Sequence, residues 1–244
     1  MPTISIQLYT LREALEADRT GTLAAVAAMG VDEVEPFGIE NFDWLPNALA
    51  AAGLKAGSAH AGIVQNPEKV LAAAKTLGVK TVFQPSPMPR DAFESVESLT
   101  TFAAALNASV DAFAAEGISI GYHNHDWEFM GAEIDGQLPY DYFVSLLDDR
   151  VVLELDTYWA AAGGVDPRSL FEKYGDRITH LHVKDGPVEG GHGVSNVVLG
   201  TGAMDIPPIL EASPNRAWVL EFDRADINPI DESAQSIAYL RSHL

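Results

Sequence analysis

The stretch VVLELDTYWAAAGGVDPRSLFEKYGDRITHLHVK, residues 151–184, shows the pattern that decides the fold. Two short runs rich in branched aliphatic residues, Val151–Asp156 and Ile178–Lys184, flank a segment with helical spacing, Asp166–Tyr174. A strand, a helix and a second strand in this order are typical of a βαβ unit with parallel strands. The stretch therefore predicts one unit of an α/β fold.

The same alternation continues outward from this unit in both directions. The chain has 244 residues, which is the usual length of one α/β barrel, and no Ser/Gly-rich linker divides it. We predict a single-domain (β/α)8 TIM barrel over residues 1–244. Its strands correspond to eight runs: Ile4–Leu8, Val31–Pro36, Leu54–His60, Thr81–Pro85, Ile118–His123, Val151–Asp156, Ile178–Lys184 and Trp218–Phe222.

The segments between these runs predict helices, among them two long ones at Thr10–Met29 and Ser95–Glu116. We also expect Asn66 to cap a helix that has proline at its first position, because both choices are favoured there. Two longer connections, 126–138 and 185–205, follow strands and therefore lie at the C-terminal end of the barrel. Long connections at this end are usually lids or binding loops.

The composition excludes several classes of protein. Hydrophobic residues make up 47% of the chain and charged residues 20%, which is enough for a sizeable core. The formal charge of −20 repels a phosphate backbone, so we expect no nucleic-acid partner. The sequence has no membrane-length apolar run and no cysteine for a disulfide, a thiolate ligand or a nucleophile. The opening MPTISIQLYT does not resemble a secretory signal, so we expect a cytoplasmic protein.

The side chains expected to face the barrel interior are unusually polar. Side chains alternate between two faces along a strand, so the residues between the aliphatic ones point inward. Barrel interiors are normally filled by branched aliphatic residues, and active sites lie at the C-terminal ends of the strands. We therefore predict a functional site at this rim, where the inward positions carry Glu33, Glu35, His60, His123, His125, Glu154, Asp156, His180, His182, Lys184, Glu221 and Asp223.

Four of these residues, at the ends of the fifth to eighth runs, are the expected metal ligands: His123, Asp156, His182 and Glu221. Two imidazoles and two carboxylates suit a divalent ion such as Mn, Co, Zn or Fe, with manganese favoured. Magnesium is less suited to a site with two histidines. The alternative is an ion-pair network that holds no metal.

Motifs along essentially the whole chain resemble one enzyme family. Their order and spacing are similar to those of the sugar phosphate isomerase/epimerase family, also called the xylose isomerase-like TIM barrels. The matching stretches are ISIQLYTLR at Ile4–Arg12, SAHAG at Ser58–Gly62, GYHNHDWEF at Gly121–Phe129, LELDTYW at Leu153–Trp159, HLHVKD at His180–Asp185, LGTGAMD at Leu199–Asp205 and VLEFD at Val219–Asp223. The resemblance implies a divalent metal held at Asp156, His182 and Glu221.

The fourth ligand is the point where this chain departs from the family pattern. The family usually has a Glu at the position of His123, whereas a His there is typical of members that resemble inosose dehydratases. The resemblance leaves three candidates for the fourth ligand: His123, His125 and Glu128.

A metal beside several bases suits the removal of a proton alpha to a carbonyl. The candidates for this acid–base work are His60, His125 and Glu35, with Lys184 as an electrostatic helper. Return of the proton to the neighbouring carbon gives isomerisation, and return to the opposite face gives epimerisation. Loss of a β-oxygen substituent instead gives dehydration or elimination.

We therefore expect a metal-dependent isomerase or epimerase of a keto-sugar or polyol, with a lyase acting on a keto-sugar or inosose as the main alternative. Gly200 and Gly202 could line a phosphate loop, but few basic residues lie nearby, which favours an unphosphorylated sugar or cyclitol. The negative charge disfavours a phosphodiesterase, and a non-catalytic sugar-binding barrel would need no metal. The barrel could also form a homo-oligomer.

Overall fold

Eight parallel β-strands form the centre of the computed structural model, which describes residues 1–86, 92–225 and 228–244. The strands are β1 (Ile4–Gln7), β2 (Glu33–Glu35), β3 (Ser58–His60), β4 (Thr81–Gln84), β5 (Ser119–His123), β6 (Val152–Asp156), β7 (Ile178–Val183) and β8 (Ala217–Leu220). Each expected run overlaps one strand, and the prediction of a TIM barrel is confirmed.

Helices surround this sheet. In chain order they are α1 (Arg12–Ala17), α2 (Arg19–Ala28), α3 (Leu45–Ala52), α4 (Pro67–Leu77), α5 (Val96–Asn107), α6 (Val110–Ala114), α7 (Trp127–Met130), α8 (Pro139–Leu146), α9 (Thr157–Ala162), α10 (Pro167–Tyr174), α11 (Ile206–Glu211) and α12 (Pro229–Arg241). None of the helices within the described ranges combines the length and the apolar character that crossing a bilayer requires.

The sheet is nearly closed. The strand order is β2-β1-β8-β7-β6-β5-β4-β3, and all seven neighbouring pairs are parallel. Between β2 and β3, two isolated parallel bridges join Val34 to Ala56 and Phe37 to His60. Because the strands are parallel around the barrel, their C-terminal ends meet at one rim.

Alternation along the strands separates an apolar layer from a polar interior. Ile4 and Ile6 of β1, and Leu153 and Leu155 of β6, have no exposed surface and belong to the hydrophobic core. Burial of one such side chain contributes about 1.5–3 kcal/mol to stability. Glu154, which lies between the two leucines, is also fully buried, but it belongs to the polar interior.

The first long helix that we expected, Thr10–Met29, is interrupted. Asp18 separates α1 from α2, and its backbone (φ −147°, ψ 88°) is not helical. Its side chain accepts a hydrogen bond from the Gly21 amide at 2.9 Å. Aspartate competes with the helical backbone in this way, so Asp18 starts a new helix instead of continuing the first.

The second long helix, Ser95–Glu116, is also interrupted, between α5 and α6. The Asn107 side chain donates to the Leu146 carbonyl at 2.8 Å and accepts from the Asp148 amide at 2.8 Å. These two contacts tie the end of α5 to the connection that follows α8. A distant contact of this kind has no signature in the helical spacing.

The prediction that the Asn66 side chain caps α4 is wrong. The helix begins at Pro67 as expected, but the Asn66 side chain makes no capping hydrogen bond. At the other end Gly78 has φ 75°, a conformation that glycine adopts without strain.

Candidate metal centre

The four expected metal ligands meet at the C-terminal rim of the barrel. His123 and Asp156 are the last residues of β5 and β6, His182 is the penultimate residue of β7, and Glu221 follows β8 directly. Asp156 and His182 are also partners in the β6–β7 register. All four side chains are buried, and one donor atom from each lies within 4.8 Å of the others.

These four residues, His123, Asp156, His182 and Glu221, are called the ligand group below. They have the chemistry of a divalent-metal site. His182 Nδ1 lies 2.7 Å from Glu221 Oε2, and His123 Nε2 lies 3.8 Å from Asp156 Oδ2. Asp156 Oδ2 is buried without a well-aligned hydrogen bond. The Lys184 ammonium group faces this oxygen at 2.8 Å, which offsets part of the cost of burying the carboxylate. The donor set of two imidazoles and two carboxylates fits an ion of the Mn, Co, Zn or Fe type.

Lys184 closes one side of the ligand group. Its Nζ lies 2.8 Å from Asp156 Oδ2, 2.6 Å from Glu221 Oε2 and 2.6 Å from Asp223 Oδ2. Burial lowers the pKa of Lys184, but the three carboxylates outweigh burial and raise this pKa well above its usual range. The buried ammonium group therefore balances part of the negative charge beside the ligand group.

A second group of buried side chains lies deeper in the barrel. Glu154 precedes Asp156 by two residues, so it shares the inward face at a level about 6.6 Å lower along the strand. Its carboxylate, together with His60, His123 and His182, forms another set of donor atoms within 4.8 Å of one another. The two groups therefore share His123 and His182.

Glu35 and His60, two of the expected acid–base residues, belong to this deeper layer. Glu35 Oε1 lies 2.7 Å from His182 Nε2 and 3.3 Å from His60 Nε2. Gln7 donates to the same oxygen at 2.9 Å, and the Ser58 hydroxyl donates to the other oxygen. Glu35 therefore contacts the imidazoles of His182 and His60, and the His60 ring stacks on that of His182 at 5.1 Å between centroids.

Buried charges shift the two shared histidines in opposite directions. Burial and the neighbouring His182 hold the pKa of His123 well below its usual range, so its imidazole is neutral. Burial lowers the pKa of His182, but Glu154 and Glu221 outweigh it and raise this pKa well above its usual range. Metal binding at His182 therefore requires the displacement of a proton.

His125 and Glu128, the other candidates for the fourth ligand, lie outside the ligand group. Glu128 accepts from the Tyr122 hydroxyl at 2.6 Å and from the His125 amide at 2.8 Å. His125 Nδ1 is buried without a hydrogen-bond partner, and the nearest carboxylate oxygen, on Glu128, is 3.8 Å away. Within the described part of the chain, His123 is therefore the histidine of the YHNH motif that joins the ligand group.

Stacked rings form a wall beside the ligand group. The His125 ring stacks on Trp127 at 4.0 Å between centroids, and the His192 ring stacks on Trp159 at 4.0 Å. His192 also faces Trp127 at 5.4 Å, and its Nε2 lies 2.9 Å from a carboxylate oxygen of Asp126. The wall therefore joins residues that follow β5, β6 and β7.

Asp185 organises the connection from β7 to α11. Its carboxylate is fully buried and accepts hydrogen bonds from four backbone amides at 2.8–3.0 Å: those of Gly186, Gly200, Gly202 and Met204. The amides of Gly200 and Gly202, which could have faced a phosphate, are therefore used within the protein.

Sequence reasoning placed Glu154 among the inward residues without giving it a role, and it missed His192 as part of the wall. Glu154 had a usable signal, because it shares the inward parity of Asp156 in the LELD motif. His192 lies in a glycine-rich connection with no periodicity, so no pattern in the sequence predicts where its ring lies.

Comparison with known proteins agrees with this architecture. The family model for the xylose isomerase-like TIM barrel matches residues 23–243. A sugar phosphate isomerase/epimerase from Parabacteroides distasonis superposes with a TM-score of 0.79 at 23% identity, covering 99% of this chain and 94% of that one. A 3-keto-D-glucoside 4-epimerase from E. coli superposes with a TM-score of 0.71 at 17% identity, covering 99% of this chain and 100% of that one.

Sequence relatives of higher identity match part of the chain. An inosose dehydratase from Lacticaseibacillus casei is 32% identical over 145 residues, covering 51% of this chain and 47% of the relative. An inosose dehydratase from Klebsiella pneumoniae is 30% identical over 151 residues, covering 52% and 49%. The chain thus spans about half the length of the curated relatives it matches. The match of the family model to most of the chain, on an eight-stranded barrel, shows that the protein belongs to the xylose isomerase-like TIM barrel family.

Proposed function

We propose that the chain is a metal-dependent enzyme that removes a proton alpha to the carbonyl of an unphosphorylated keto-sugar or cyclitol, and so acts as an isomerase or epimerase. The observation that carries this proposal is the meeting of His123, Asp156, His182 and Glu221, from four different strands, at the rim where barrel enzymes hold their active sites. Manganese is the ion that we favour, and a cytoplasmic location and homo-oligomer formation stay predictions.

The chemistry divides between the ligand group and the residues beside it. An ion bound there would supply an electrophile that polarises the substrate carbonyl and stabilises the negative charge that develops on its oxygen. We favour His125 as the base, because its side chain is 16% exposed and its ring lies 5.0 Å from that of His123. The Lys184 ammonium group adds positive charge on the side of Asp156 and Glu221.

His60 and Glu35 take a different place in the proposal. His60 Nε2 is 2.5 Å from Glu154 Oε2, and Glu35 Oε1 is 2.7 Å from His182 Nε2, so both residues already face partners inside the barrel. We place them in the deeper layer, where they orient the imidazoles of the site and hold protons on them. Contact with the substrate is left to His125, and the buried Lys184 acts through its charge.

A lyase is the second candidate, because both curated relatives described above are named inosose dehydratases and share about 30% identity with this chain. Both reactions begin with removal of the same kind of proton. They differ in whether that proton returns to carbon or a β-oxygen substituent leaves. The ligand group and His125 serve the common first step.

The proposal names an unphosphorylated substrate because the rim offers little to hold a phosphate. The Asp185 carboxylate accepts hydrogen bonds from the amides of Gly200 and Gly202, and it would repel an anion placed there. Lys184 is already matched by three carboxylates. A net charge of −20 also opposes anionic substrates at long range.

The test follows hydrogen exchange and dehydration in the same reactions. The purified protein, loaded with Mn²⁺, is incubated in D2O with a panel of keto-sugars and inososes, and mass spectrometry follows deuterium gain. Ultraviolet absorbance follows the conjugated enone that elimination produces. Deuterium gain without absorbance supports the isomerase or epimerase, and new absorbance supports the lyase. A metal-loaded protein that gives neither signal with any member of the panel contradicts the proposal.

A further inference from the structure

We infer that Glu154 is a positioning residue of the metal centre: its buried carboxylate fixes the two shared histidines so that the correct ring nitrogen of each faces the ion. This inference rests on the proposed metal-dependent function. It adds a role for a residue that is neither a metal ligand nor in contact with substrate.

A single oxygen of Glu154 contacts three imidazoles. Its Oε2 lies 2.5 Å from His60 Nε2, 3.1 Å from His123 Nδ1 and 3.2 Å from His182 Nε2. These contacts reach His123 and His182, the two histidines that also belong to the ligand group. Glu154 is therefore the one carboxylate, among the described residues, that contacts both of these histidines through one oxygen.

The ring nitrogens are distributed in a consistent way. His123 presents Nδ1 to Glu154 and Nε2 to Asp156, whereas His182 presents Nε2 to Glu154 and Nδ1 to Glu221. An imidazole that donates one N–H to a carboxylate keeps the lone pair of its other nitrogen for a metal. Contact with Glu154 therefore favours the tautomer in which His123 Nε2 is available as a ligand. At His182 it acts together with Glu35, whose Oε1 lies 2.7 Å from the same Nε2, and both carboxylates leave Nδ1 available.

The environment of Glu154 shows that the imidazoles balance its charge. Its side chain is fully buried, and within the described part of the chain its ion-pair partners are His60, His123 and His182. Asp156 and Glu221 differ, because both contact the Lys184 ammonium group. Glu154 Oε1 is buried without a hydrogen bond. Burying a carboxylate costs free energy, and the contacts of Glu154 with the three histidines offset this cost.

Glu128 provides a matched control. It is also a fully buried glutamate near the YHNH motif, but its oxygens accept from the Tyr122 hydroxyl and the His125 amide and do not touch the ligand group. Glu128→Gln and Glu154→Gln each remove one buried negative charge while keeping the side-chain shape. Only the second change alters the partner of His123 and His182.

The experiment measures Co²⁺ binding by the visible absorption of the ion. Wild type, Glu154→Gln, Glu154→Leu and Glu128→Gln are stripped with a chelator and titrated with Co²⁺, and thermal unfolding checks that each is folded. We expect Glu154→Gln to bind Co²⁺ about 10-fold more weakly and Glu154→Leu about 100-fold more weakly, with shifted absorption bands. Glu128→Gln should stay within about twofold of wild type and keep the wild-type spectrum.

The outcomes separate this inference from the proposed function. A wild-type protein that binds no Co²⁺ contradicts the metal-dependent function itself. A wild-type protein that binds Co²⁺, with a folded Glu154→Gln variant of equal affinity and spectrum, contradicts only the role of Glu154. If the Glu154→Leu variant does not fold, the Glu154→Gln variant still decides between these results.

Discussion

The ligand group and the β7–α11 connection, residues 185–205, lie at the same rim but are held in different ways. His123, Asp156, His182 and Glu221 lie at the ends of hydrogen-bonded strands, and none of them is more than 5% exposed. The connection presents His192 with a side chain that is 48% exposed. Its backbone also turns through positive φ values of 56–101° at Val188, Gly190 and Gly191. The strands therefore hold the proposed ligands, while polar side chains such as Asp185 and Asn196 hold the connection.

The ligand group and the connection therefore have different structural roles at the rim. Geometry at a metal centre must be accurate, and side chains on the strands of a packed barrel supply that accuracy. The connection is bonded through the Asp185 carboxylate, the Asn196 side chain and the Leu199 amide, none of which belongs to the four proposed ligands. We therefore expect changes in the ligand group to abolish the reaction, and changes in the connection to alter stability or substrate affinity.

The largest expected effect comes from Glu221→Gln. The amide is a poorer metal ligand than the carboxylate, and it leaves Lys184 with one fewer negative partner. We expect metal occupancy to fall below a tenth of the wild-type value and kcat/KM to fall about 1,000-fold, with the circular dichroism spectrum preserved. Elemental analysis and steady-state kinetics measure both. Normal metal content and rate in this variant would remove Glu221 from the ligand set.

An intermediate effect is expected for Asp185→Ala. This change removes the acceptor of four backbone amides in the β7–α11 connection, two of which belong to Gly200 and Gly202. We expect the free energy of unfolding to fall by about 3 kcal/mol, because hydrogen bonds to a charged group are among the stronger ones. Metal content should stay within about 20% of wild type if the two regions are independent. Denaturant unfolding measures the stability and elemental analysis measures the metal content. Loss of both would show that the connection and the ligand group are not independent.

The smallest expected effect comes from His192→Ala, which removes a ring that lies between Trp127 and Trp159. We expect KM to rise about fivefold with kcat within about twofold, because the wall loses a ring but the ligand group is unchanged. The control is His192→Phe, which keeps the stacking and loses the contact with Asp126. A fall in kcat without a change in KM would mean that His192 takes part in the chemical step.

The barrel and the meeting of the four proposed ligands could be predicted from the sequence because both depend on strand parity. Two aliphatic residues that flank one polar residue, as in Leu153-Glu154-Leu155, predict which side chain points inward, and the structure agrees. What the sequence leaves out depends on contacts between distant elements. The interruption after α5 depends on hydrogen bonds between Asn107 and the connection that follows α8. The helical spacing of the sequence does not predict that contact.

The roles of individual inward residues were harder to predict than their positions. Parity places Glu35, Glu154 and Asp156 in the same interior, but it does not give their depth relative to one another. Depth depends on how neighbouring strands are staggered, which the pairing of Glu154 with His123 and of Asp156 with His182 reveals. Glu35 and Glu154 contact the same nitrogen of His182, which is why the proposal gives Glu35 a positioning role instead of the acid–base role first expected.

Anomalous X-ray diffraction from crystals of the Mn²⁺-loaded protein tests the metal centre most directly. We predict one strong manganese peak per chain, bonded to His123 Nε2, Asp156 Oδ2, His182 Nδ1 and Glu221 Oε2, the donor atoms that face one another at the rim. A chain that shows no peak there, or a peak bonded to other residues, contradicts the assignment of these four side chains as the site of the reaction.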